Sequence, residues 1–299
     1  MQSASSEDSG RFGSGTDRFR QRASVCGQSP THRHSVRIRY GSLPPTRPDA
    51  EPAHKKRGGR AATRPPALVL TTARTSGPGP ALYTPGVTLL PLDPDQLLTT
   101  TRAVRRRLDF SRPVPAELIR ECVAIALQAP SASNVVTMGF VVVTDAVKRR
   151  AIGALYQDVY AAYKASPGYA GRQLPEDPER ALQQGRVARS ADYLGEHLGE
   201  APALVIAVNE GANREQALAG MGSVLPAMWS FMLAARARGL GTAWTSMHRA
   251  REQEVAELLG IPYDTVVQAV LSPLAFAKGT DFKPALRPDP EEVTHWEAW

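Results

Sequence analysis

Cysteine is the first scarcity. The 299-residue chain carries only Cys26 and Cys122, far apart and without a Cys-x-x-Cys pair. That excludes a disulfide framework and the thiolate zinc sites that need closely spaced ligands. Long apolar runs are missing as well. No stretch reaches the roughly 18 residues of a membrane-spanning helix, and the first residues lack the apolar core of a secretory signal. A reducing compartment, the cytoplasm, is therefore the expectation, with no membrane partner.

Several chemistries are excluded by missing motifs. There is no Gly-x-x-x-x-Gly-Lys-Ser/Thr, no His-Glu-x-x-His and no Gly-x-Ser-x-Gly. Gly220-Met221-Gly222 opens a helical pattern, but no strand precedes it and the third glycine of a dinucleotide fingerprint is absent. His197, His248 and His295 stand in no catalytic context and read as surface or capping residues. No side-chain nucleophile or metal site is indicated.

Positive charge is abundant but confined. The formal charge of +7 suggests a nucleic-acid partner at first sight. Residues 1–90, however, hold 14 Lys and Arg against 5 Asp and Glu, a net of +9, which leaves residues 91–299 at −2. Ser, Gly, Pro and Arg dominate that first stretch, and its apolar runs are as short as Ala67–Leu70. Such a segment buries too little surface to offset its ordering entropy, so residues 1–90 read as a disordered basic extension and 91–299 as the folded domain. Nucleic acid is not the expected partner.

From Leu92 onward the pattern is that of a folded chain. Asp93-Pro94-Asp95 signals a helix start, and Pro115-Ala116-Glu117 another, with Leu118, Cys122, Ile125 and Ala126 at helical spacing. Residues 146–164, 179–198, 220–238 and 250–259 read as further helices, the third capped by Gly239 in left-handed conformation. Phe140–Val143, Ala203–Val208, Thr242–Thr245 and Val266–Leu271 read as strands. Few strands among several helices indicate a layered α/β or α+β domain.

Three separated groups then suit one kind of ligand. Thr101-Arg102-Ala103-Val104-Arg105-Arg106-Arg107 lies at a helix end, and on a helix Arg102 shares a face with Arg105 and Arg106. Guanidinium groups pointing one way suit a phosphate, because arginine donates in a fixed fork. Pro130-Ser131-Ala132-Ser133-Asn134 interrupts the chain just before a buried strand and offers hydroxyls, an amide and a backbone that proline keeps out of a helix. Gly239-Leu240-Gly241-Thr242 supplies a cap and then a glycine that permits close backbone approach to a flat ligand. Lys278, Lys283 and Arg287 follow as late cations able to complete a phosphate site.

Taken together these segments resemble the nitroreductase family of FMN-dependent oxidoreductases. The resemblance rests on Arg102–Asp109 leading to Arg112-Pro-Val-Pro115, on Ala129–Asn134 before Phe140–Val143, on Ala234–Thr242 with Trp244, and on Arg287–Val293 with His295-Trp296. It covers about residues 92–299 in order. Where the family has Gln-Pro-Trp this chain has Val136-Thr137-Met138. The resemblance implies an α+β fold with a central, mainly antiparallel sheet flanked by helices, in an intertwined homodimer with FMN at the interface. It implies FMN contacts from Arg102, Arg105 or Arg106, Pro130, Ser131, Ser133, Asn134, Leu240, Gly241, Thr242, Lys283 and Arg287, with the Pro130–Asn134 loop reaching the flavin of the other subunit. It implies a hydride from NADPH or NADH, passed through flavin to a nitroaromatic or quinone, with no catalytic side chain. Two alternatives stay open: a same-fold flavin enzyme that dehydrogenates or fragments its substrate, and a non-catalytic flavin- or polyanion-binding module.

Overall fold

Ala203–Glu210 is apolar at nearly every position, as a strand buried on both faces must be. In the computed structural model, which describes residues 88–299, the side chains of this strand alternate between two cores. Ala203, Val205 and Ala207 join one, with Leu118, Cys122, Met228 and Phe231. Leu204, Ile206 and Val208 join the other, with Ile152, Tyr156, Leu194 and Leu271. The period of two thus glues helices to both faces of one sheet. Each fully buried Leu, Ile or Phe contributes about 1.5–3 kcal/mol relative to exposure. The extension expected over residues 1–90 lies outside the described residues save for its last three positions.

The sheet comprises β1 (Leu108–Asp109), β2 (Met138–Val143), β3 (Ala203–Glu210), β4 (Leu240–Thr242) and β5 (Val266–Ala277). Strand β5 pairs with β1, β3 and β4, and β3 pairs with β2, all antiparallel. The flanking helices are α1 (Pro94–Thr100), α2 (Ala116–Ala126), α3 (Ala146–Ala165), α4 (Pro178–His197), α5 (Arg214–Ala219), α6 (Met221–Ala237) and α7 (Glu252–Leu259). Asp93, Asp145 and Asp177 cap α1, α3 and α4 by accepting from backbone N–H groups of the first turn. None of the described helices is long and apolar enough to cross a membrane. The expected α+β architecture is the observed one.

Several boundaries differ from the sequence reading. The helix expected over 220–238 is α6, and a short helix the sequence reading did not give, α5, precedes it and ends at Gly220. The strand expected at 242–245 lies two residues earlier, and Thr245 makes only an isolated bridge to Leu271. Strand β5 continues to Ala277, through Pro273, which opposes Leu204. The Arg102–Arg107 segment is not helical: α1 ends in an extended Thr101, Ala103 bridges Thr242, and a turn follows Arg105. His248, read as surface or capping, is fully buried instead.

Candidate functional site

That extended segment decides which arginines converge. The Val104 N–H donates to the Thr242 carbonyl at 2.7 Å, so the chain runs extended beside β4 and turns after Arg105 instead of continuing as a helix. Val104 enters the core, while Arg102 and Arg105 turn into a cleft of about 890 Å³. Lys283 and Arg287 line the same cleft from the C-terminal segment. Arg186 approaches from α4, where Glu179 is the one carboxylate in the wall. Trp229 of α6 and Trp244 after β4 add half-exposed indoles.

The cations are held and electrostatically tense. Arg102 Nη1 donates to the Lys283 carbonyl at 3.0 Å, which joins the two ends of the domain. Burial, and then the charge of Arg287, lower the Arg102 pKa from its ordinary value. Arg105 Nη1 donates to Ser190 Oγ at 3.3 Å, and that hydroxyl donates to the Val187 carbonyl at 2.9 Å. Burial lowers the Arg105 pKa, partly offset by Tyr156 and Tyr160. Like charges gathered this closely favour an anion, since each guanidinium offers charge-assisted donors.

The other expected residues lie elsewhere. Arg106 points away, its Cζ 5.8 Å from the Tyr193 ring centroid, so of the two alternatives Arg105 is the one at the cleft. Leu240, Gly241 and Thr242 are buried in β4. The close approach at Gly241 is to the chain's own core: a Cβ there would sit 2.8 Å from Leu108 Cδ2 and 2.9 Å from Val104 Cβ. Lys278 offers its carbonyl to Arg107 rather than its amine to the cleft.

Pro130, Ser131, Ser133 and Asn134 also stand apart from the cleft of their own chain. Residues 132–134 form a 3₁₀ turn in which Ser133 and Asn134 have φ of 54° and 56°. Two consecutive non-glycine residues in left-handed conformation are uncommon and store strain. The Ala132 N–H donates to Ser223 Oγ at 3.1 Å, which moors the turn to the first turn of α6. Val135 and Val136 follow as exposed apolar residues.

Sequence reading missed Trp229, Ser190 and Glu179. Trp229 sits in an apolar helix where nothing marks it as facing a cleft, and α4 is polar nearly all round. Cys122, the one cysteine among the described residues, is shielded. Burial raises the Cys122 thiol to about 12, which keeps it protonated and inert.

Fold and cleft together define an α+β protein with a cationic, tryptophan-walled cleft. The sequence profile of the Nitroreductase family matches residues 98–272, more than half of the chain, and the chain belongs to that family. Its fold is similar to that of an oxidized iodotyrosine deiodinase bound to FMN and 3-iodo-L-tyrosine, with TM-score 0.51 and 20% identity over 68% of this chain and 98% of that one. Nitroreductase A from Vibrio parahaemolyticus aligns with TM-score 0.50 and 18% identity over 69% of this chain and 75% of that one. A variant of NfnB, an FMN and NADPH-dependent nitroreductase derived from sphigopyxis sp. strain HMH, aligns with TM-score 0.50 and 21% identity over 70% and 100%.

Proposed function

We propose that this chain is an FMN-dependent oxidoreductase that takes a hydride from NADPH or NADH and passes electrons to a nitroaromatic or quinone. The observation that carries the reading is the gathering of Arg102, Arg105, Lys283 and Arg287 around one cleft against a single carboxylate. A phosphate dianion matches that donor set, and the two indoles give a flat heteroaromatic ring an apolar wall. Bound FMN would supply the two-electron chemistry. The chain's residues would bind and orient it: Arg102 and Arg287 at the phosphate, Arg105 held in place by Ser190. A cation near the ring also favours its reduced, anionic form, at about 2–4 kcal/mol per well-placed donor.

We further infer that a second copy completes the site. Helix α6 is apolar on nearly every side, the pattern of a helix covered all round. Met221, Leu225 and Trp229 nevertheless form an i, i+4, i+8 stripe that is part-exposed in the single chain, at 40% for Leu225 and 37% for Trp229. The strained Ser133–Asn134 turn is moored beside the start of that stripe. A partner packed on α6 would bring the turn toward the partner's cleft, which supports action in trans.

The test is a visible spectrum of the protein loaded with FMN, recorded without oxygen before and after NADPH, then after a nitroaromatic or quinone. Flavin absorbance should bleach with NADPH and return with the acceptor. Protein that binds no FMN at micromolar concentration would sink the assignment.

A further inference from the structure

Next to the cleft, but outside its wall, one ring is held between two cations. Phe282 lies with Arg107 Cζ 4.3 Å and Arg236 Cζ 4.7 Å from its ring centroid. Arg107 also donates from Nε to the Lys278 carbonyl at 2.8 Å and from Nη2 to Asp281 Oδ1 at 2.5 Å. Arg236, near the end of α6, donates from Nη2 to the Thr280 carbonyl at 2.7 Å. The Lys278 N–H donates back to the Arg107 carbonyl at 2.7 Å. Gly279 makes the bend with φ of 78°, where a Cβ would meet Arg107 Nη2 at 2.6 Å. Two arginines from distant parts of the chain thus hold residues 278, 280, 281 and 282.

Arg236 is costly to place there. It is buried, its Nε and Nη1 have no hydrogen-bond partner among the described residues, and no carboxylate is paired with it. Arg107 adds a like charge nearby. Buried cations are ordinarily paired or well hydrogen-bonded. What this one has is the face of Phe282 and one carbonyl, so the arrangement serves the strap more than the core. The residues that come directly after the strap, Lys283–Arg287, line the cationic cleft. Arg287 among them repels Arg102, and the one bond from Arg102 to the Lys283 carbonyl does not by itself hold the segment against that charge. A cleft of like charges needs its cations fixed from behind, because ordering them on binding lowers affinity.

We propose that Phe282, clasped between Arg107 and Arg236, is a positioning residue that fixes Lys283 and Arg287 where they meet the phosphate of the bound ligand. The inference rests on the reading of the cleft as an FMN phosphate site. It is specific to the phosphate, because the strap leads to the cations and not to the indole wall.

The experiment compares FMN with riboflavin, which lacks the phosphate, by fluorescence titration of the full-length chain and its variants. Wild type should bind FMN more tightly than riboflavin. In Phe282→Ala the FMN Kd should rise about tenfold, the weight of one charge-assisted hydrogen bond. The riboflavin Kd should stay the same. Phe282→Tyr keeps a ring between the guanidiniums and should bind FMN as wild type does. Arg107→Gln removes one side of the clasp and should act like Phe282→Ala, which secures the result if one variant folds poorly. An unchanged FMN Kd in Phe282→Ala and Arg107→Gln overturns the proposal, as does equal weakening of both flavins. Loss in Phe282→Tyr as large as in Phe282→Ala also overturns it, because the stacked ring would not be the cause. Wild type that binds FMN no better than riboflavin removes the phosphate reading itself, and the clasp's proposed purpose with it.

Discussion

Arg102 Nη1 donates to the Lys283 carbonyl at 3.0 Å, across 181 positions of sequence. The bond brings the first cation of the domain to the last pair, and Arg287 is close enough to lower the Arg102 pKa. If these side chains hold a phosphate, each charge-assisted bond is worth about 1.5–3 kcal/mol. Arg102→Ala and Arg287→Ala should each weaken FMN binding by roughly ten- to a hundredfold, measured by flavin fluorescence. Equal affinity in both variants and wild type would move the phosphate elsewhere.

A second pair of residues tests the scaffold. Arg238 Nε donates to Glu121 Oε2 at 2.9 Å, with side-chain exposures of 2% and 5%, and Arg238 Nη1 donates to the Ala234 carbonyl. This ties α2 to the end of α6. Removal of one partner breaks this buried ion pair, so Glu121→Ala should destabilise the fold in urea unfolding, by about 3–5 kcal/mol where no other group takes up the charge. Replacing both residues by methionine should cost much less, since no stranded charge remains. If the double variant is as unstable as the single one, shape rather than charge dominates there.

His248 gives the fold a pH dependence. It is fully buried, neither ring nitrogen has a hydrogen-bond partner among the described residues, and burial, helped by Arg249, lowers its pKa to about 3. The unfolded chain takes up the proton near pH 6.5 and the folded chain does not. Stability from this group is therefore complete above about pH 6.5 and falls as pH drops toward 3, by up to about 1.4 kcal/mol per unit. His248→Leu should flatten that part of the curve relative to wild type. Parallel curves for the two proteins would show that His248 does not titrate as its burial requires.

Much of this was legible in residues. Asp93 and Gly239 marked a helix start and a helix end, and the continuous apolar run at 203–208 marked a strand covered on both faces. Strand β1 is two residues long and carries no period to detect. The second half of β5 was hidden by Pro273, since proline normally stops a central strand. Arg105 and Arg106 could not be separated because a helical frame was assumed for them. The pairing of Ala103 with Thr242, a contact across about 140 residues, sets their directions instead. The left-handed Ser133 and Asn134 were equally invisible, because only Asn has a local preference for that conformation. The position of the Pro130–Asn134 segment was readable as a break before a strand; its distance from its own cleft was not.

The basic extension offers a simple deletion. Leu90 N–H already donates to the Ala237 carbonyl at 2.8 Å, so contacts with α6 begin by that residue. A chain that starts at Thr88 should keep its fold and FMN affinity. It should elute from heparin at lower salt than the full chain, because the net charge goes from +7 to −2. Loss of flavin on deletion would show that the extension contributes to the site.

The most discriminating test concerns Ser131 and Arg102. Ser131 is half-buried beside the turn moored to Ser223, and Arg102 lines a cleft that residues 130–134 do not touch in their own chain. Under the trans reading, Ser131→Trp blocks the partner's flavin by overpacking beside a planar ligand, which a turn held by Pro130 cannot relieve. Arg102→Ala weakens the flavin of its own chain. Each variant alone should be inactive at FMN concentrations well below the weakened Kd. Mixed under subunit exchange, a heterodimer places both lesions in one site and leaves the other intact. Half of the dimers are mixed and half of their sites are whole, so activity should return to about a quarter of wild type. If both groups belonged to one site within a chain, every site would keep a lesion and mixing would restore nothing. No recovery despite exchange proven by mass spectrometry would return the Pro130–Asn134 turn to the role of a plain connection. Recovery near a quarter would explain why this chain tolerates two strained residues there: the strain serves a site its own chain does not hold.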